Sequence, residues 1–326
     1  MTTSRRDFLK VTGGCLAHLA LMSACAPAST RRRWTAPAHP TAASAPFARL
    51  DAIGPDTWAL ISTPLGGDRT TFANGGIIAG TSGVIAVEGF YKPAGAEWLA
   101  RQARMLTGRW PTHVVLTHYH IDHAAGLAGY AEPSDKTHAT PMLRATQKTR
   151  ELALAGGPVA PVKDAALTQA FADTVVVAAN APGVIDIGNR RLTLDALSGH
   201  TASDLAIIDE DAGITWAGDL LWNGMFPNFV DATPGTLAAS VRHLEKTAAQ
   251  HFVPGHGAMA GRAALTRYLN LLDDLERTAR GGHKAGAPAA KVSADYTIPS
   301  TLGDWMATAP AIERAMTAWY RQLDAK

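Results

Sequence analysis

Two kinds of apolar run alternate along the chain from residue 58 onward. Residues 58–61, 76–79 and 84–88 are short and apolar, separated by Pro64-Leu65-Gly66-Gly67 and Gly80-Thr81-Ser82-Gly83. Short apolar runs bounded by Gly and Pro predict strands. Residues 94–107 instead place Trp98, Leu99, Gln102, Met105 and Leu106 at three- and four-residue steps, the period of one helix face. A short strand over 113–116 follows, then a helix predicted near 142–154 and an irregular stretch to about 165. The second half repeats the plan. Strands are predicted over 174–178, 191–196, 205–209 and 213–217, a helix over 234–250, and a short strand over 251–253. The strongest helical stripe is Leu265, Tyr268, Leu269, Leu272 and Leu275, within 262–280. Residues 281–293 read as a loop and 310–323 as a last helix. Two strand-rich halves, each flanked by helices, predict an α/β protein of two packed sheets with helices outside.

Composition narrows the class. Of 326 residues 47% are apolar and 18% charged, with Gly 30 and Pro 19, which describes a globular protein with a sizeable core. No run of 18 or more apolar residues is present, so no ordinary membrane-spanning helix is expected. The net charge of +2 arises near the start, where Arg5, Arg6 and Lys10 outnumber Asp7, and the remainder is balanced. A balanced chain lacks the cationic excess that phosphate binding requires, which argues against nucleic acid as a ligand. The two cysteines are Cys15 and Cys25, so neither a disulfide framework nor a thiolate ligand or nucleophile is available beyond them.

The opening Ser4-Arg5-Arg6-Asp7-Phe8-Leu9-Lys10, followed by a weakly apolar stretch over 11–24, has the shape of a secretory signal. Its paired arginines resemble a bacterial twin-arginine signal, which implies export of a folded protein to the periplasm. Two cleavage points compete. Met22-Ser23-Ala24-Cys25 resembles a lipobox that would put a lipid anchor on Cys25, and Ala26-Pro27-Ala28 is a soluble cleavage site. Residues 26–47, rich in Ala, Pro, Ser, Thr and Arg, read as a solvated linker. The division expected is a signal over 1–25, a linker over 26–47, a main domain over 48–280, and a C-terminal loop and helical extension over 281–326.

Chemistry-bearing residues concentrate just after predicted strands. Three of twelve histidines fall within Thr117-His118-Tyr119-His120-Ile121-Asp122-His123, directly after the 113–116 strand. Alternation in extended chain lets His118 and His120 point the same way, and a turn into a helix brings Asp122 and His123 back to the same point. Ser198-Gly199-His200-Thr201, Trp216-Ala217-Gly218-Asp219 and Val253-Pro254-Gly255-His256-Gly257 each set one His or Asp beside a glycine that permits a tight turn. Imidazole and carboxylate donors without thiolate suit zinc, and also admit iron or manganese. Asp204 and Thr117 either orient a ligand or serve a turn. Tyr119 is expected to pack away from the ligands on either side of it. His113, His138, His243 and His251 read as structural or exposed.

In this order, His-Tyr-His-Ile-Asp-His, Gly-His-Thr, Ala-Gly-Asp and Pro-Gly-His-Gly resemble the motifs of the metallo-β-lactamase-fold hydrolase superfamily, over roughly residues 50–280. The resemblance implies a four-layer αβ/βα sandwich with metals at one edge between the two sheets. Carried over residue by residue, it implies that His118, His120 and His200 hold one metal and that Asp122, His123 and His256 hold a second. Asp219 would bridge the two, giving two zinc ions per chain. Two such ions about 3.5–4 Å apart can share a hydroxide, lower the pKa of bound water to about 7 and polarise the bond under attack. Asp122 would in addition orient that hydroxide or pass a proton to the leaving group.

The activity so implied is hydrolysis of an ester, thioester or lactone-like bond in a small-molecule substrate. A bridging Asp219 sets the chain apart from class B β-lactamases, which leaves β-lactam hydrolysis an alternative. A second alternative is a mononuclear iron oxidoreductase of the same fold, resembling persulfide dioxygenases. Residues 219–228, with Asp231, resemble exported members associated with quinoprotein or sulfur-oxidation systems. Asn223, Phe226 and Asn228 would then line the substrate cleft.

Overall fold

A meander of five antiparallel strands opens the structure, a computed structural model that describes residues 39–63, 65–131 and 140–325. The strands are Thr41–Ala45 (β1), Ala48–Gly54 (β2), Thr57–Ser62 (β3), Gly75–Ala79 (β4) and Val84–Val87 (β5). Helix α1 (Pro93–Thr107), with proline in its first turn where no N–H is needed, then crosses over. The crossover returns His113–Val115 (β6) parallel to β5. A single helical turn, α2 (Ile121–Ala124), follows, and Met142–Thr146 (β7) continues the sheet in parallel. Helices α3 (Gln147–Ala155) and α4 (Ala165–Ala170) lead to Val175–Val177 (β8), which completes eight strands in sequence order.

The second sheet contains Gly183–Asp186 (β9), Arg191–Ala196 (β10), Leu205–Asp209 (β11), Ile214–Asn223 (β12), His251–Gly257 (β13) and Ala260–Gly261 (β14). Only β12 and β13 pair in parallel, with α5 (Pro234–Glu245) as their crossover. Helices α6 (Arg262–Lys284), α7 (Ala289–Asp295) and α8 (Ala309–Asp324) close the chain. Among the described residues no helix is long and apolar enough to cross a membrane.

Three apolar clusters define four layers. Ile78, Ile85 and Val115 of the first sheet meet Leu194, Ile207 and Trp216 of the second in a core between the sheets. Leu60, Leu99 and Leu116 join the first sheet to α1, and Leu220, Leu237, Leu265 and Trp319 join the second to α5, α6 and α8. This is the helix–sheet–sheet–helix sandwich that the sequence pattern predicts.

Four sequence expectations change. The helix predicted near 142–154 is a strand followed by a helix. Residues 142–146 pair with β6, and α3 starts only after Thr146, whose Oγ1 accepts the Thr149 N–H at 3.0 Å as an N-cap. The stretch read as linker contains β1, which pairs with β2 along a mostly exposed edge. The 281–293 loop is instead the end of α6 followed by α7. The C-terminal extension is part of the core, since Ala315, Met316 and Trp319 of α8 are fully buried. The signal segment, Cys15, Cys25 and His138 lie outside the described residues.

Arg190 pins the two sheets together. Its guanidinium donates to Thr57 Oγ1 at 2.7 Å and Pro55 O at 3.0 Å, and its Nε lies 3.3 Å from Asp209 Oδ2. Asp209 is wholly buried. Arg190→Ala would leave that carboxylate without its counter-ion, so a loss of about 3–5 kcal/mol is expected. Urea denaturation measures it, and an unchanged midpoint would refute the assignment.

Candidate metal centre

The first four candidate ligands come from one segment. Beyond β6 the chain stays extended through Thr117, then turns at His120, whose carbonyl accepts the N–H groups of His123 at 3.0 Å and Ala124 at 2.9 Å. That turn places Asp122 and His123 back beside His118. His200 sits on a loop closed by Asp204, whose carboxylate accepts the His200 N–H at 2.9 Å and the Thr201 hydroxyl at 2.6 Å. Of the two roles open to Asp204, the loop is the one its bonds serve.

Asp219 and His256 lie within strands rather than beyond them, because β12 and β13 extend further than the apolar pattern shows. The β12–β13 register shifts around Gly218, whose φ of 51° is left-handed. A side chain there would strike Thr117 Oγ1 at 2.6 Å, so glycine both makes the bulge and admits the close approach. Gly255 is needed for a different reason. A Cβ at that position would stand 1.9 Å from Asp219 Oδ1.

The seven residues converge in two groups, His118, His120, His200 and Asp219, and Asp122, His123 and His256. The Asp219 carboxylate divides between them. Its Oδ2 is 3.1 Å from His200 Nε2 and 3.9 Å from His118 Nε2. Its Oδ1 is 3.2 Å from His123 Nε2 and 3.4 Å from His256 Nε2. Asp122 Oδ2 lies 3.3 Å from His256 Nε2, and His120 Nδ1 lies 3.1 Å from His200 Nε2. The Asp122 side chain is 15% exposed, against 6% or less for the other six.

Burial and the neighbouring charges act together on these groups. Burial pushes the Asp219 carboxyl up, yet His256, His123 and His200 hold it well below the carboxylate range. Burial and then the charge of His123 drive His118 well below its ordinary value. Burial opposes charge on His123, but Glu88 and Asp219 raise it well above its usual value. His118 Nε2, His123 Nε2, His256 Nε2 and Asp219 Oδ1 are buried without a hydrogen-bond partner among the described residues. Such atoms cost about 1–3 kcal/mol each when left unsatisfied. All four face one space, and all are metal-donor atoms, so the residues present fit metal ions.

The sequence matches the metallo-beta-lactamase superfamily over residues 89–275, a span that holds all seven residues. The chain belongs to the metallo-beta-lactamase superfamily. It is 24% identical over 182 residues to the acyl-coenzyme A thioesterase MBLAC2 of Homo sapiens, a match that covers 51% of this chain and 63% of that protein. It superposes on the stereoselective inverting sec-alkylsulfatase Pisa1 from Pseudomonas sp. with a TM-score of 0.64 and 17% identity, covering 84% of this chain and 50% of that one. The metallo-beta-lactamase FIM-1 from Pseudomonas aeruginosa, in its mono-zinc form, gives 0.55 and 18%, covering 70% and 95%. At these identities the likeness to solved structures is one of fold. The chain spans part of the thioesterase's length and half of the sulfatase's.

In this superfamily member the residues behind the ligands are what the motifs miss. Glu88 is buried at the end of β5, with Oε1 3.0 Å from His123 Nδ1 and accepting the Thr117 hydroxyl at 2.5 Å. With its own proton so engaged, Thr117 Oγ1 accepts from His118 Nδ1 at 3.1 Å, which leaves the His118 Nε2 lone pair facing Asp219. The available signal for Glu88 was one acidic residue ending the apolar run Val84–Val87. Tyr119 is buried beside His120 and donates to Asp231, so it does more than pack. Phe226, expected to line a cleft, is fully buried against Phe229, while Asn223 Nδ2 donates to the carbonyls of Ala258 and Met259. His113 pairs with Thr112 and His243 with Asp195, as structural residues do.

Proposed function

We propose that this protein is an exported, dinuclear zinc hydrolase that cleaves an ester, thioester or lactone-like bond in a small molecule. The observation that carries the reading is the division of the Asp219 oxygens, one toward each group of ligands. A complete second group favours two ions over a mononuclear iron centre, which needs only part of the set. Two zinc ions held there would supply a water activated near neutral pH and would polarise the bond to be broken. His118, His120 and His200 would hold one ion and Asp122, His123 and His256 the other, with Asp219 shared between the two groups. Asp122 is the most exposed of the seven, and is placed to take a proton from the attacking water and pass it to the leaving group. The thioesterase activity named for the human relative supports including thioesters among the substrates.

Metal analysis of protein purified without chelator should give about two zinc ions per chain, following the two-metal arrangement. A hydrolysis screen over ester, thioester, lactone, β-lactam and phosphodiester substrates then identifies the bond. Active protein holding a single iron would overturn the proposal in favour of the oxygenase-like alternative.

Metal uptake should depend on pH. Burial alone would lower His256, but Asp219 and Asp122 raise it to about 9 in the metal-free protein. Below that pH the imidazole carries a proton that an incoming ion must displace. Zinc affinity should therefore rise by about tenfold per pH unit for each displaced proton up to about pH 9, then level off. Calorimetric titration at stepped pH measures this, and a flat profile would remove His256 from the ligand set.

Export rests on Arg5 and Arg6. Replacing both with lysine should hold the precursor in the cytoplasm, read by fractionation. Unchanged periplasmic yield would rule out the twin-arginine route. Cys25→Ala should release the protein from membranes if Cys25 carries lipid.

A further inference from the structure

Residues 224–233 link β12 to α5 and carry Asp231 across the sequence to the first group of ligands. Asp231 Oδ2 lies 3.0 Å from His120 Nε2 and accepts the Tyr119 hydroxyl as well. The residues it meets are 111 and 112 positions away, so no local constraint brings them together. The loop is instead held from several sides. Phe226 and Phe229 are buried in the core under the second sheet. The Phe226 N–H donates to Met306 O, and the Met306 N–H to Gly224 O, both at 3.0 Å. Arg321 Nη2 donates to Ala232 O at 2.8 Å, and the Gly235 N–H to Gln322 Oε1 at 2.9 Å. The Thr233 N–H donates to Gly199 O at 2.9 Å, one residue before His200. The C-terminal segment and the His200 loop thus fix where Asp231 stands.

This geometry assigns the two nitrogens of His120. A carboxylate only accepts, so the Nε2 facing Asp231 carries the hydrogen. The neutral ring then has its lone pair on Nδ1, the atom 3.1 Å from His200 Nε2 in the first group. Without Asp231 the ring is free to take the other tautomer or to turn, and either change points a hydrogen into the space the ligands share.

We propose that Asp231 is a positioning residue for the first metal, holding His120 in the one tautomer and orientation that present Nδ1 to it, with Tyr119 donating to the same carboxylate oxygen. This rests on the two-metal reading above. Outer partners of ligating histidines typically account for 10–100-fold in metal affinity.

The test compares wild type, Asp231→Ala and Asp231→Asn. Asp231 is one-third exposed, so both variants should fold, which circular dichroism checks. In Asp231→Ala one of two zinc ions should bind about 10–100-fold more weakly while the other is unchanged. Asp231→Asn retains an oxygen acceptor for Nε2–H and should restore most of the affinity. Nitrogen-15 NMR of histidine-labelled, metal-free protein near pH 8 reads the tautomer directly. Wild type should show His120 protonated on Nε2, and the alanine variant should lose that preference. An alanine variant that binds both zinc ions as wild type does, or keeps the Nε2–H tautomer, would overturn the proposal, as would an asparagine variant no better than alanine. Wild type binding fewer than two zinc ions would count against the two-metal reading, and the NMR comparison in metal-free protein would still decide the role of Asp231.

Discussion

Asp219→Ala is expected to weaken both metal positions at once and to reduce turnover by about 10³-fold or more. The carboxylate gives one oxygen to His118 and His200 and the other to His123 and His256. Its removal takes the carboxylate that faces both groups, and with it a negative charge standing between them. Charge stabilisation by bound metal is worth several kcal/mol, and each 1.36 kcal/mol is about tenfold in rate. Asp219→Asn is the informative partner, since an amide retains one carbonyl oxygen and should favour one position over the other. The measurements are zinc per chain and turnover on the substrate found by the screen. Retention of two tightly held ions in Asp219→Ala would show that the two groups are held without the bridge.

Asp122→Asn should cost about 10²–10⁴ in turnover, the range for lost general acid–base help, and should weaken only the second position. The substitution keeps size and one oxygen but removes the charge and the proton acceptor. Burial would raise this carboxyl, yet His123 and His256 hold it below the ordinary carboxylate range. It is therefore ionised across the neutral range. The two variants separate in metal count, with both positions disturbed for Asp219→Ala and one for Asp122→Asn. Near-normal turnover by Asp122→Asn with two ions bound would remove Asp122 from the chemistry.

The candidate ligands were legible because their placement is local. In the segment from His118 to His123, strand alternation and a single helical turn bring four side chains to one point, and both periods can be read without knowing what packs nearby. His200, Asp219 and His256 each stood beside a glycine, and at Gly199, Gly218, Gly255 and Gly257 alike a side chain would collide with its surroundings. What was hidden depends on distant partners. Residues 142–146 have no strand alternation strong enough to stand out, and they become a strand because β6 offers them an edge 29 positions away. Residues 41–45 are Ala, Ser and Thr, a composition that reads as solvated chain, and they form an edge strand with little to bury. Glu88 and Asp231 are lone acidic residues in sequence. Their meaning lies in the nitrogens they face, which only the folded chain supplies.

The anchoring of the 224–233 loop by Met306, Arg321 and Gln322 sets an order of assembly. A ribosome has released every one of the seven ligands once residue 256 has emerged, yet the contacts that hold Asp231 against His120 come from positions fifty to sixty-six residues later. An emerging chain therefore carries all the donor atoms while the group that fixes one of them is untethered. On the two-metal proposal, the group that orients His120 is fixed only once residues 306–322 dock, which would make completion of the centre a late event of folding rather than its nucleus.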